Sequence, residues 1–373
     1  MNDVNIIKVQ TKKEIKIFIN LAYAIYKDNP YWVAPIEMDL KKRFNKNKNP
    51  FFNFGDMQLF IAFKNNKPVG RIAAIENRLH NKIHNENVGF FGFFECINDQ
   101  TIANKLFDAA FEWLKNKGFD SVLGPTNPTS NDEYGLLIDG FEDTPRIMMP
   151  YNPPYYLDLI NGYGFEKAKD LNAFKIENRK LLAQKKLVRG AEIVRKRNGV
   201  NIRHLDIKNF KAELDEVKKV YNKAWSPNWG FVPLTDEEIE EIAKDLKMLL
   251  DPNLVLFMEK NKETIGFALV IPDYNKIFVD IKGKFFPFGI FKFFARRNKL
   301  EWARVLILGI LPEYQKKGLD ALFYYEITKR AEKRGILYGE ASWILEDNLM
   351  MNKGIEMMDG NLYKKYRVFK KKL

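Results

Sequence analysis

The sequence predicts an α/β (α+β) chain made of two copies of one mixed unit, each a mostly antiparallel, twisted sheet flanked by helices. Two observations carry this. Short apolar runs of strand length alternate with segments whose apolar residues recur at the spacing of a helix face. The order of elements also repeats. LFIAFKNNKPVGRIAAI, ending at Ile75, aligns with VLFMEKNKETIGFALVI, ending at Ile271, which sets Gly70 on Gly266 at an offset of 196. Gly118 and Asn131 align with Gly335 and Asn348 at an offset of 217, so the second copy carries 21 extra residues between Ile271 and Gly335.

The elements follow in order. Residues 5–9 read as a strand, and Thr11 and Glu14 have capping-box spacing ahead of a helix over 15–25. Residues 59–63 and 69–75 are strands around the polar turn 64–67, and 88–96 is a third strand. Ile102, Leu106, Phe107, Ala110, Phe111 and Leu114 mark an amphipathic helix that ends at Gly118, before a strand over 121–123. The second half runs the same way: a strand at 201–205, a helix through Phe210, Leu214, Val217 and Tyr221, and strands at 254–258 and 265–271. It closes with strands at 336–342 and 366–369. The expected organisation is a domain over 1–177, a basic helical linker over 178–200, and a domain over 201–373 with an insertion at 274–302.

RVLILGILPEYQKKGLDA, residues 304–321, is the stretch most informative about chemistry. The apolar run 305–311 is ended by Pro312, and Leu319, Leu322, Phe323, Ile327 and Ala331 then mark one face of a helix. A strand-to-helix turn leaves backbone N–H groups unpaired, and the helix dipole adds positive potential. Lys316 and Lys317 add charge, and Gly318 admits a ligand close to the backbone. Such a turn suits a pyrophosphate.

LGILPEYQKKGLDALF resembles the acyl-CoA-binding motif of the GCN5-related N-acetyltransferases (GNATs): Gln or Arg, two residues, Gly, one residue, then Gly or Ala. Gln315 and Gly318 match it, and Asp320 departs from it. The resemblance implies acetyl-CoA or another acyl-CoA held by Gly309, Ile310, Leu311, Gln315, Lys316, Lys317, Gly318 and Leu319. Asn348 would steady the helix beside the cofactor's arm. In the first copy, Asn98-Asp99-Gln100 stands where this turn would be, so only the second copy is expected to bind.

Acyl transfer to an amine needs an N–H donor for the thioester oxygen, a base for the amine and a proton for the leaving thiolate. Glu340, on one strand face with Ser342 and Ile344, is the candidate base, directly or through water; otherwise it is an ion-pair partner of a lysine. The family often places a Tyr acid about two turns after the Asn, where this chain has Ile355, which leaves Tyr363 as the substitute acid.

The stretch 124–156 is dense in Pro, Asn, Gly and Tyr, and long irregular loops are usually functional. It resembles a segment of an uncharacterised bacterial group related to the GNATs. Asn127, Asn131, Glu133, Tyr151 and Asn152 are its candidate substrate-binding groups, on a loop expected to reach the second domain and wall the acceptor site. A rigid packing loop is the competing reading. His80 and His84 have helical ligand spacing but no third ligand nearby, so no metal is expected.

With 373 residues and net charge +13, the chain fits a globular protein of two domains with a basic surface. The basic residues are scattered and no nucleic-acid motif appears, so no specific nucleic-acid partner is expected. The lone Cys96 excludes an intramolecular disulfide and fits a reducing cytoplasm. The N-terminus lacks the charge and apolar core of a leader, and no apolar run approaches a membrane span. Residues 282–300 mix six Phe with six Lys and Arg, the composition of a packed insertion or of a helix making peripheral membrane contact. The leading expectation is an acyl-CoA-dependent N-acyltransferase acting on a small-molecule amine. The alternatives are a non-catalytic ligand-binding relative and a membrane-surface aminoacyl or acyl transferase of the tandem kind that builds peptidoglycan. Oligomeric state is not encoded in any of these patterns.

Overall fold

A computed structural model describes residues 4–373. Residues 1–3 of the stretch read as lacking a leader lie outside the described residues. Contacts group the chain into two units: residues up to Leu171 with 278–290 and 364–373, and residues 172–277 with 291–363.

In the first unit, β1 (Val4–Lys8) leads to α1 (Lys12–Ile25), whose start is fixed by a full capping box. Thr11 Oγ1 accepts from the Glu14 amide at 3.2 Å, and the Glu14 carboxylate accepts from the Thr11 amide at 2.9 Å. Helix α2 (Glu37–Arg43) precedes the hairpin of β2 (Gly55–Lys64) and β3 (Lys67–Asn77). Its turn residues Asn65 and Asn66 have φ of 50° and 59°, the left-handed pair that a two-residue hairpin needs. Next come α3 (Arg78–His84), β4 (Val88–Cys96), α4 (Gln100–Asn116) and β5 (Ser121–Gly124). Short strands β6 (Thr126–Asn127), β7 (Glu133–Tyr134) and β8 (Leu136–Asp139), then α5 (Tyr156–Gly162), lead to β9 (Glu166–Glu177), which runs on into the second unit.

Strands β1 to β4 pair antiparallel in sequence order, and β4 pairs parallel with β5. On one face α4 buries Ile102, Leu106, Phe107, Ala110 and Leu114 against Phe91 and Phe94. On the other, α1 places Phe18 and Ile19 over Ile61, Ala73 and Ile75. Strand alternation therefore feeds two cores from one sheet.

The second unit repeats the plan. After α6 (Asn178–Ala183) and α7 (Lys185–Asn198) come β10 (Asn201–His204), α8 (Phe210–Trp225), α9 (Asp236–Leu246), β11 (Val255–Lys260) and β12 (Glu263–Pro272). Helices α10 (Asn275–Ile281) and α11 (Phe288–Arg296) then fill the connection that α3 alone fills in the first unit. The unit continues through β13 (Trp302–Ile310), α12 (Leu319–Lys333), β14 (Tyr338–Leu345) and α13 (Leu349–Met357). Strands β10 to β13 are antiparallel, and β13 pairs parallel with β14. Leu319, Leu322 and Phe323 of α12 pack on one sheet face, and Val220 and Trp225 of α8 on the other.

The last strand, β15 (Asn361–Lys372), differs from the sequence division, which assigns everything after residue 201 to the second half. Phe369, Lys370, Lys371 and Lys372 pair with β5, and Arg367 forks onto Asp170 at 2.7 and 3.0 Å, so residues 364–373 complete the first unit's sheet. Local alternation marks a strand but not which distant edge it joins.

Candidate active site

The two strands on either side of the Gln315–Gly318 turn, β13 and β14, begin paired and then part. Their parallel register runs from Trp302 opposite Tyr338 to Val305 opposite Ala341 and stops there, although both strands continue. Immediately beyond, the ladder to β12 skips Leu306: Val305 faces Val270 and Ile307 faces Leu269. A bulge of this kind bends its strand. Leu311 donates its amide to Ile265 O at 2.9 Å, so by ladder alternation the amides of Gly309 and Ile307 also face β12. Those of Leu308 and Ile310 face the fork. Of the three positions expected to serve a cofactor, Ile310 alone therefore turns its amide to the fork. Leu308 joins it, and Leu311 is held in the ladder. Gly309 has another use: a Cβ there would stand 1.9 Å from the Trp225 ring.

The turn after β13 is open. Gln315, Lys316 and Lys317 are exposed, and Gln315 Nε2 donates to Ile310 O at 2.9 Å, tying turn to fork. Lys316 and Gly318 have φ of 58° and 77°, and Gly318, the N-cap of α12, supplies no side-chain cap. Lys317 Nζ donates to Glu313 O at 2.8 Å and lies 5.0 Å from the Tyr314 ring. Asp320 is exposed on the first turn of α12. Burial, and then the charge of Asp320 one turn earlier, push the Tyr324 hydroxyl up. Asn348 Oδ1 accepts from the Met351 amide at 3.2 Å, capping α13. Ile355 is wholly buried with Phe174, Ile176 and Ile344.

One residue before the strands part, the facing pair Arg304 and Glu340 anchors a polar cluster on the sheet face opposite α12. Ala303 and Ile310 belong to the α12 core, and Ile307 and Leu311 to the α8 core, which fixes that parity. Arg304 Nε donates to Ser342 Oγ at 2.8 Å, and its Nη2 donates to Ser342 O at 3.1 Å. Ser342 Oγ donates to Glu340 Oε1, and the Tyr363 hydroxyl donates to Glu340 Oε2. Glu340 is 0% exposed and Arg304 3%, whereas Tyr363 is half-buried. Its ring lies 6.4 Å from that of Trp302, which stacks on Tyr338 at 4.9 Å. The two catalytic candidates thus meet through one hydrogen bond. The partner that Glu340 finds is Arg304, not a lysine.

The first unit has the same fork and turn, filled by its own chain. Gly70 faces Cys96 as Gly266 faces Ile310, so Cys96 takes the place of Ile310. The Cys96 amide donates to the Tyr156 hydroxyl at 2.9 Å, and the Tyr155 hydroxyl donates to Cys96 O at 2.8 Å. Asn127 Oδ1 accepts from the Phe93 amide at 2.7 Å, and Thr126 O passes so close to Gly92 that a Cβ would lie 1.7 Å from it. The Asp99 carboxylate accepts from the amides of Thr101 and Ile102 and pairs with Lys64 at 3.0 Å, so α4 carries a built-in anion at its start.

The other loop residues proposed for substrate bond to neighbours within the loop itself. Glu133 accepts from Asn127 Nδ2 at 3.1 Å, buried Asn152 brackets Leu137 N and O, and Tyr151 donates to Phe141 O at 3.1 Å. The Asn131 amide donates to Thr129 Oγ1 at 3.1 Å. Sequence reading missed Glu95, which sits nearly buried between Arg71 (3.4 Å) and the Tyr156 hydroxyl (2.7 Å). Burial raises its carboxyl, against the opposing charge of Arg71. A lone Glu ending an apolar strand was its one signal. His80 is buried against Phe90 and bonded to Glu86 at 3.1 Å.

The doubled, forked sheet defines the class. It is the fold of solved GNAT proteins, among them a tandem GNAT protein from the clavulanic acid biosynthesis pathway, with a TM-score of 0.60, 10% identity and coverage of 99% of this chain and 98% of that one. A GCN5-related N-acetyltransferase from Sphaerobacter thermophilus superposes with a TM-score of 0.53 at 12% identity, over 98% of this chain and 95% of that one. No protein-family profile matches. In sequence, the chain is 33% identical to the bacterial ceramide synthase of Caulobacter vibrioides (strain NA1000 / CB15N) over 100% of its own length and 98% of that protein. It is 32% identical to Protein YghO of Escherichia coli (strain K12), over 97% of its own length and 94% of that protein. The chain belongs to the family of these two proteins.

Proposed function

We propose that this protein is an N-acyltransferase that moves an acyl group from a CoA thioester to the primary amine of a long-chain amino alcohol, forming the amide of a ceramide-like lipid. The contrast between the two turns carries the reading. The first unit's helix start and fork are closed by Asp99, Asn127, Tyr155 and Tyr156, and the second unit's have exposed lysines, a helix whose N-cap glycine supplies no side-chain cap, and amides that face the fork. The acceptor class comes from the Caulobacter relative's name, since a ceramide is an N-acylated long-chain amino alcohol.

The residues divide the work as follows. Lys316, Lys317 and the first amides of α12 hold the diphosphate. Leu308 and Ile310 offer N–H groups along the fork to the thioester oxygen as charge develops there. The thioester supplies an activated acyl carbon; the amine nitrogen bonds to it and the carbon–sulfur bond breaks. Glu340, being fully buried, acts through Tyr363: the tyrosine oxygen takes the proton lost by the amine while its own moves to Glu340. The reverse relay returns a proton to the thiolate. Arg304 and Ser342 hold the Glu340 carboxylate in this orientation.

The test is CoA release with a long-chain acyl-CoA and a long-chain amino alcohol, set against acetyl-CoA with short amines. Amide formation with the long pair is expected. Turnover confined to short amines would overturn the acceptor class. Ile355, buried where the family's acid is expected, favours a second reading, a binding protein without turnover. Calorimetric CoA binding with no release across both panels would decide for it.

A further inference from the structure

We propose that helix α11 seats this protein on an anionic lipid bilayer, with its exposed phenylalanines entering the interface. The helix is one continuous element with two apolar sides. On the inner side Phe293 is 0% exposed and packs 5.0 Å from the Tyr274 ring. On the outer side Phe288, Phe291 and Phe294 are 76%, 71% and 52% exposed. Steps of three residues at 3.6 per turn put these three within an arc of roughly 120°. Phe286, just before the helix, is 63% exposed as well. Single exposed apolar residues are ordinary, but a contiguous aromatic stripe on a folded helix calls for a cover.

Charge identifies the cover. Residues 281–300 hold six Lys and Arg and no Asp or Glu. Lys282, Lys284, Lys292 and Lys299 are exposed beside the stripe, and the whole chain carries +13. Aromatic rings ringed by cations match a surface with an apolar interior and an anionic face, which is a bilayer containing acidic lipid. A second copy docking through the same patch would set these lysines against one another. The inference does not depend on the acyl-transfer reading, because it rests on exposure and charge alone.

The experiment is co-sedimentation of the full chain with phosphatidylglycerol–phosphatidylcholine vesicles and with pure phosphatidylcholine vesicles, with no acyl donor present. Binding to the anionic vesicles that weakens with salt is expected. The exposed triple variant F288S/F291S/F294S should keep the melting temperature and lose at least about tenfold in partitioning, since each buried ring contributes strongly. The proposal is overturned if the wild type fails to sediment, binds both vesicles equally, or is matched by the triple variant. It is also overturned if sedimentation equilibrium shows a dimer that the triple variant dissolves. Failure here would leave CoA release untouched, and failure of CoA release would leave vesicle binding untouched.

Discussion

Tyr363 donates its hydroxyl hydrogen to a carboxylate, Glu340, that solvent does not reach. The pair joins a residue of β14 to one of β15 across 23 positions of sequence. Because Glu340 is shielded, the tyrosine is the member that can touch an amine. Tyr363→Phe should lower kcat by about 10²–10⁴-fold, the range of general acid–base contributions. Glu340→Gln should lower it similarly. Calorimetric CoA affinity should stay the same in both. If kcat is unchanged in Tyr363→Phe, the relay is wrong.

Gly318 and Gly118 allow a controlled comparison. Both have left-handed backbone, with φ of 77° and 85°, so an L side chain costs about 1–2 kcal/mol at either. Nothing lies within 4 Å of a Cβ at Gly118, whereas at Gly318 it would meet Val194 at 3.3 Å, within the turn assigned to the diphosphate. Gly118→Ala and Gly318→Ala should both lower stability. Only Gly318→Ala should weaken CoA binding. Equal CoA affinity in the two variants would remove the turn from the binding site.

Asp99 sets a pH dependence. Burial works against its charge, yet Lys64 and the amides of Ile102 and Thr101 hold its carboxyl below the usual range. A depressed folded value means the stabilisation is present above the unfolded pKa, about 3.9, and is lost as pH falls through the folded one. Asp99→Asn should therefore flatten the acid limb of the stability curve below about pH 4, measured by urea unfolding at several pH values. An unchanged acid limb would show that the carboxylate is not a cap in solution.

Much of the second unit's turn could be read from local pattern. Pro312 ends the strand, Gly318 opens the helix, and Leu319, Leu322 and Phe323 take its buried face as their spacing requires. Helix α9 carried the same kind of signal, a Thr235–Glu238 capping box before Ile239, Ala243 and Leu246, and the sequence reading passed over it. Strand β9, EKAKDLNAFKIE, was less legible because lysines and short polar residues interrupt its alternation. Parity placed Glu340 and Ser342 on one face but could not find Arg304, since facing pairs on parallel strands depend on register between distant segments. Which amides face the fork was out of reach for the same reason: one ladder bond, Leu311 to Ile265, decides it.

Asn127 separates two uses of the irregular loop. Its side-chain oxygen takes the Phe93 amide at 2.7 Å, its side-chain nitrogen goes to Glu133, and its carbonyl accepts from Arg43 at 2.8 Å. Asn127→Ala leaves the Phe93 amide, at a left-handed residue with φ of 49°, without that acceptor. An amide so stranded costs about 1–3 kcal/mol, which urea unfolding would read as a lower midpoint. If the loop closes the first unit's fork, stability falls and KM for both substrates stays within error. If the residue meets the acceptor, as its place in a polar loop suggests, KM for the amine rises while the midpoint holds. The hydrogen bonds around Asn127 favour the first outcome, and a raised KM with no loss of stability would assign the loop to substrate instead.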